Sequence, residues 1–213
     1  MSDPMAVGLS VRERNKQDKL RRIKLAAREL FIEKGFDEAT TREIAQRADV
    51  GFGTLFRYAS DKRDLLFLIY NDDFDELADT AFAGRTEDAP LIDQLMQIFA
   101  NFYEFFAARP ELARDLLREV SFFQGGEQAD RFNGGVLRIE RQFVEMISKM
   151  QQQGRIVQGE EPEAVFGVLW SIYRAQIREW LRQPNPDLGE GLETLRLYLR
   201  LVIEGLVPNP DLP

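Results

Sequence analysis

The stretch TTREIAQRADVGFGTLFRYASDK, Thr40 to Lys62, decides how the chain folds. Thr40 followed three residues later by Glu43 is a capping box. The hydroxyl and the carboxylate each satisfy a backbone N–H that a first helical turn leaves unpaired, so a helix starts at Thr41. Ile44, Ala45 and Ala48 give it a narrow apolar stripe whose small alanines admit a closely crossing neighbour. Asp49 is a short polar residue that tolerates a left-handed backbone, and Val50 follows it as a buried anchor, as a sharp turn between helices requires. A second helix opens near Phe52. Its Gly51 and Gly53 are poor helix formers, and their small size leaves room for something to approach the backbone. Two short helices at this spacing read as a helix-turn-helix, whose second helix fits the DNA major groove.

Around this motif the pattern stays helical. Leu65 to about Phe82 reads as one long helix, and its Asp72, Asp73, Asp75 and Glu76 read as a solvated acidic face. Leu91 to Ala108 carries Leu95, Ile98, Phe99, Phe102, Tyr103 and Phe106 at helical spacing. Pro110 opens the next helix at its favoured position, with Glu111–Arg114 and Asp115–Arg118 as i, i+3 pairs. Ser121 to Gly135 holds four glycines among polar residues and reads as a loop or broken helix. Val136 to Gln153 follows and stops at Gly154. Pro162 starts a helix through Arg182. After the QPNPD break, Leu192, Leu195, Tyr198, Leu199, Val202 and Leu206 define the last helix before a Pro-rich tail. The division this suggests is a basic, partly disordered arm over 1–18, a helix-turn-helix domain over 19–65, a larger helical domain over 66–207 and a tail over 208–213.

Composition narrows the chemistry. The 213 residues contain no cysteine and no histidine, which removes disulfides, thiolate chemistry, the commonest general base and the commonest metal ligand. A di-metal helical bundle needs inward Glu-x-x-His pairs, and a P-loop needs a Lys-Ser/Thr after its glycines. Neither pattern occurs, so no enzyme, metal or cofactor is expected. With no apolar run of membrane-spanning length and no apolar signal segment, the chain is expected in the cytoplasm.

The net charge of -8 is unevenly placed. Through Tyr70 there are 14 Lys and Arg against 11 Asp and Glu, a net +3, while the remainder has 14 against 25, a net −11. Ser10 to Arg28 alone carries eight basic residues and two acidic ones. Such a cluster neutralises phosphates and releases counterions, and the acidic remainder confines nucleic acid to one face.

The segment IKLAARELFIEKGFDEATTREIAQRADV (Ile23 to Val50) resembles the first helix, the Gly-Phe corner and the second helix of the TetR family of bacterial transcriptional regulators. Asp61, Lys62, Leu65 and Leu66 are similar to the start of that family's fourth helix, with Asp61 and Asp64 able to form a second cap. The likeness runs from about Lys19 to Tyr70, and RPELARDLLRE (109–119) and EPEAVFGVLWSIYRA (161–175) resemble other recurrent TetR segments. Phe56 departs from the family's frequent tyrosine, which removes a phosphate-reaching hydroxyl, and Ala59 replaces a bulky aromatic. The resemblance implies an all-α fold, with an N-terminal three-helix DNA-binding domain and a larger ligand-binding and dimerisation domain.

It also implies function and site residues. By position, Arg42 reaches a guanine edge, and Phe52, Gly53 and Thr54 face the groove, where Phe52 and Thr54 can meet a thymine methyl. Gly51 permits close approach. Thr41, Arg57, Lys62 and the basic residues before Arg28 are the candidates for phosphate contact, Phe56 belongs to the same face, and Tyr58 is expected in the core beside Leu55. Members bind a small effector. Here Phe99, Phe102, Tyr103, Phe106, Phe143, Met146, Trp170 and Tyr173, with Arg174 as an anchor, form the candidate lining, which favours a hydrophobic or amphipathic molecule. Wide apolar faces on helices 163–182 and 190–206 suggest a homodimer through a four-helix interface. The expected partners are a second copy and double-stranded DNA with a pseudo-palindromic operator, and the expected activity is repression tuned by the effector. The alternatives are a dimeric architectural or protein-binding molecule with a vestigial helix-turn-helix and, behind it, a helical-bundle enzyme.

Overall fold

The computed structural model describes residues 10–120 and 125–205. The start of the basic arm (1–9), residues 121–124 of the glycine-rich segment, Leu206 and the tail lie outside them. Among the described residues the fold is all helical: α1 (Val11–Lys34), α2 (Thr41–Arg47), α3 (Phe52–Leu55), α4 (Lys62–Thr80), α5 (Leu91–Ala107), α6 (Pro110–Val120), α7 (Glu127–Gln152), α8 (Pro162–Leu181) and α9 (Leu188–Glu204). The chain forms two compact units, divided inside α4 after Asp72 and inside α7 after Arg131. The first unit therefore holds α1 to the middle of α4 together with the start of α7.

In the first unit the caps form as their residues dictate. Thr40 and Glu43 make the capping box of α2, and Ser10 and Glu13 make another at α1, so residues 11–18, expected within a basic arm, are the first turns of a helix. Asp61 accepts from the Asp64 N–H at 2.8 Å and Asp64 accepts from the Ser60 N–H at 2.8 Å, starting α4. Ile23, Ala26, Ala27, Leu30 and Phe31 of α1 close on Ile44, Ala45, Ala48, Leu55, Ala59, Leu65 and Leu66, all of them buried. Full burial of each large aliphatic or aromatic side chain contributes about 1.5–3 kcal/mol. Ala59 sits in this core at 3 % exposure. Tyr58 does not: it is half-buried, and its hydroxyl donates to the Lys16 carbonyl at 3.4 Å.

Asp64 has a second role. It is 1 % exposed, and its other oxygen accepts from the Gln128 N–H at 3.0 Å and the Ala129 N–H at 3.1 Å, capping α7 from 64 residues away. Around it, Asn71 donates to the Gln128 carbonyl and side-chain oxygen, both at 3.0 Å, and the Gln128 amide donates to the Tyr58 carbonyl at 3.1 Å. Gly126 completes the fit. Its φ is +95°, and a Cβ there would stand 2.5 Å from the Asp64 carboxylate.

The second unit contains the rest of α4 and α7 with α5, α6, α8 and α9. Its centre is aromatic: Phe99 stacks on Tyr173 at 4.6 Å, Tyr103 meets Trp180 at 4.9 Å, and Phe82 meets Phe143 edge-on at 4.8 Å. Gly191 brings α9 onto Trp180 and Tyr103, where a Cβ would lie within 2.6 and 2.8 Å. Three expectations are corrected. Gly134 and Gly135 lie inside α7; Gly135 marks close approach, since a Cβ there would come within 2.8 Å of the Phe74 ring. Arg114 does not pair with Glu111: it caps the end of α8, donating to the carbonyls of Leu181 at 2.6 Å and Gln183 at 2.9 Å. The α4 acids are not merely solvated, because Asp72 pairs with Lys24 and with Arg131 (2.8 Å), Asp73 with Arg109 (3.5 Å) and Asp75 with Arg138 (2.6 Å). At Asp72, burial pushes the carboxyl up, but Lys24 and Arg131 together hold it below the ordinary value. By contrast, Gly154 closes α7 as expected: φ is +67°, with Arg155 N–H to Met150 carbonyl at 2.9 Å and Gly154 N–H to Gln151 carbonyl at 2.9 Å, a Schellman pair.

Replacing Asp64 with Ala strands three backbone N–H groups. We expect a loss of about 3 kcal/mol in urea unfolding, and a loss under 1 kcal/mol would show that the carboxylate is dispensable. Lys34, then the Thr40 hydroxyl and backbone, hold Glu43 at about 2, below its ordinary 4.5. Because the folded value is the depressed one, the stabilisation is complete above pH 4.5 and is lost as pH falls toward 2. Carboxyl NMR titration checks this, and a Glu43 midpoint at or above 4 would refute it.

Candidate functional site

The turn of the helix-turn-helix is built by a residue pair the sequence separates widely. Asp49 has φ +50°, the one non-glycine residue with positive φ among those described. The Val50 N–H reaches back to the Ala45 carbonyl at 3.0 Å and the Asp49 N–H to the Gln46 carbonyl at 3.1 Å, so α2 also ends in a Schellman pair. Arg22 from α1 then donates to the carbonyls of Ala48 (2.8 Å) and Asp49 (3.0 Å) and to the Asp49 carboxylate (3.1 Å). These bonds fix the exit of α2 and hence the start of α3.

Beyond the turn, α3 is one regular turn, Phe52–Leu55, prolonged by bonds from the N–H of Arg57 to the Thr54 carbonyl (3.1 Å) and from that of Tyr58 to the Leu55 carbonyl (2.9 Å). Leu55 points inward at 0 % exposure, while Phe52 and Phe56 stand out at 46 % and 41 %. Gly51, Gly53, Arg57 and Arg42 are exposed, with Thr41 and Thr54 half-exposed. Phe52 and Phe56 pack edge to face at 5.0 Å, and the Arg42 guanidinium lies over the Phe52 ring at 5.8 Å. These residues share one face of the first unit.

Beside α3, an open groove of about 1080 Å³ runs between it and the first turns of α1. Arg12, Lys16, Lys19 and Arg57 supply its cations, with Thr54 and Tyr58 in its wall. The structure sorts the basic cluster. Arg12, Arg14, Lys16 and Lys19 are exposed, whereas Arg22 holds the turn and Lys24 pairs with Asp72. Lys62 is also engaged within the fold. Its ammonium donates to the Asp37 carbonyl at 2.8 Å and lies over the Phe36 ring at 4.8 Å, holding the Gly-Phe corner.

The second unit contains a cavity of about 220 Å³. Of the residues expected to line it, Phe102, Phe106, Trp170, Tyr173 and Arg174 do. Phe99, Tyr103, Phe143 and Met146 do not: they are 0–4 % exposed and packed in the core. Sequence reasoning missed Phe74, Leu117, Val120, Phe132, Asn133, Val136, Ile177 and Arg178 in the wall. Arg178 had a visible signal, since it follows Arg174 by four residues and so shares its helix face. Burial first, and then the positive charge of Arg174, pull the Arg178 guanidinium below its ordinary value. Burial pushes the Tyr173 hydroxyl well up, so it stays neutral.

Residues 23–69 match the bacterial regulatory proteins of the TetR family. An HTH-type transcriptional repressor of Mycobacterium tuberculosis is 32% identical over 107 residues, 49% of this chain and 54% of that protein. An uncharacterized HTH-type transcriptional regulator of Bacillus subtilis is 26% identical over 143 residues, 67% of this chain and 73% of that one. The chain thus spans about half the length of the mycobacterial relative it matches. Among solved structures, FadR of Thermus thermophilus, a TetR-family repressor in complex with lauroyl-CoA, superposes with a TM-score of 0.65 at 26% identity, over 91% of this chain and 98% of that one. FadR of Bacillus subtilis, in complex with stearoyl-CoA, gives a TM-score of 0.69 at 18% identity, over 88% and 99%. With α2 and α3 forming a helix-turn-helix inside the matched segment and an all-helical fold shared with these regulators, residues 23–69 belong to the TetR family of bacterial regulatory proteins.

Proposed function

We propose that the protein is a homodimeric transcriptional repressor that reads a pseudo-palindromic operator with two copies of α3 and is tuned by an amphipathic anion. The observation that carries the DNA reading is the exposed face of Arg42, Phe52, Thr54 and Phe56 beside a groove lined by Arg12, Lys16, Lys19 and Arg57. Side chains that can meet base edges are set next to cations that neutralise phosphates, so specificity and general affinity come from adjacent groups. Two copies on successive major grooves would sit about 34–36 Å apart. Support for the dimer comes from α8 and α9, where Val168, Leu197, Tyr198, Leu201, Val202 and Ile203 are each 38–52 % exposed. Large apolar side chains left exposed on two helices that pack together favour an association site there.

The ligand reading rests on the cavity of the second unit. Its volume of about 220 Å³ lies below the roughly 300–1,000 Å³ of drug-sized sites, which suits a narrow chain better than a fused ring. Phe102, Phe106 and Trp170 supply an apolar wall, and Arg174 and Arg178 supply two neighbouring positive charges that an anion would relieve. The acyl-CoA complexes of the two FadR proteins favour an acyl chain with an anionic head.

Selection from random-sequence duplexes should enrich a palindrome, and Arg42→Ala should then cost about 1–3 kcal/mol on the winner and relax one base position. Failure to enrich any palindrome at low salt would sink the repressor reading. For the ligand, lauroyl-CoA titrated calorimetrically should bind the native protein, and the Arg174→Ala, Arg178→Ala double variant should bind about tenfold or more weakly, as loss of a charge-assisted bond implies. Equal affinity for both proteins would remove the arginine pair from the ligand site.

A further inference from the structure

We propose that Phe52 and Phe56, with Arg42 held over Phe52, form a preassembled reader of thymine methyl groups next to a guanine; this rests on the DNA-reading role of α3 proposed above. The two phenylalanines are one helical turn apart, and their rings meet at 5.0 Å and 86°. Such edge-to-face pairs are a favoured aromatic geometry, and they usually lie inside a protein. Here both rings stand on the outer face of α3, 46 % and 41 % exposed. Single exposed apolar residues need no explanation, but this is a rigid pair on the surface that a major groove would meet.

The chemistry of the groove then selects the target. Among the base edges presented there, the C5-methyl of thymine is the apolar group, and phenylalanine is one of the side chains suited to it. Phe56 has no hydroxyl with which to hold a phosphate, so its ring offers the helix an apolar contact in place of a backbone anchor. Gly53 keeps the approach open, since nothing stands within 4 Å of where its Cβ would be.

Arg42 sets the neighbouring base. Its guanidinium lies 5.8 Å from the centre of the Phe52 ring, a cation–π placement that leaves the N–H edges free to engage guanine O6 and N7. Successive bases are about 3.4 Å apart along a strand, so a ring at this distance from the guanidinium reaches a base one or two steps from the guanine. Each half-site should therefore place thymine within two steps of the guanine that Arg42 reads.

The test uses the full-length protein and the duplex enriched from random sequence, with each thymine replaced in turn by deoxyuridine. That change leaves base pairing intact and removes one methyl group. One or two positions per half-site should lose about three- to fivefold in affinity, as expected for one buried methyl. The loss should disappear in the Phe52→Ala, Phe56→Ala double variant, whose circular dichroism should match the parent because both rings are largely outside the core. A uracil scan flat within about twofold, or a loss that persists in the double variant, overturns the proposal while the operator reading stands. If no duplex is enriched, both fall together.

Discussion

A single buried carboxylate closes the first unit. Asp64 has almost no exposed surface, and a buried anion is tolerated only where donors replace the water it has lost. Three backbone N–H groups do so, one from Ser60 at the start of α4 and two from the first turn of α7. The positive end of the α7 dipole adds to the attraction. Gln128 then carries the connection to the Tyr58 carbonyl, at the far end of the α3 turn. The domain that carries the helix-turn-helix is thus not one continuous stretch of chain, because residues 125–131 belong to it as fully as α2 does.

This explains what could be read in advance. The capping box at Thr40, the left-handed turn at Asp49, the cap at Asp61 and the stop at Gly154 each depend on residues within about five positions, and local rules suffice for them. Arg22 and Asp64 act across 27 and 64 or more positions, and nothing in their neighbourhoods announces the partner. Gly134 and Gly135 show the opposite error. Glycines among polar residues read as a break, but at Gly135 a packing demand from Phe74 overrides the helix propensity.

The candidate sites divide along the same line. The exposure of Arg42, Phe52 and Gly53 was legible because position within a helix-turn-helix fixes which way they face. By position Lys62 is a candidate for phosphate contact, and only the fold reveals that it also holds the Gly-Phe corner. In the second unit, aromatic residues at helical spacing could not be divided by pattern into core and cavity wall. Phe99 and Phe102 differ by three positions on one helix, yet Phe99 stacks on Tyr173 in the core while Phe102 also faces the cavity.

Arg22 gives the turn between α2 and α3 an internal gauge. It grips two successive carbonyls and the Asp49 carboxylate, so the turn cannot gain or lose a residue without releasing that grip. Downstream, Leu55 alone of the four α3 residues is fully buried. The helix is held by its entry and one inward side chain, which leaves its outward positions unconstrained by folding. Side chains at Phe52, Gly53 and Phe56 can therefore change, by drift or by design, without a compensating change in the scaffold.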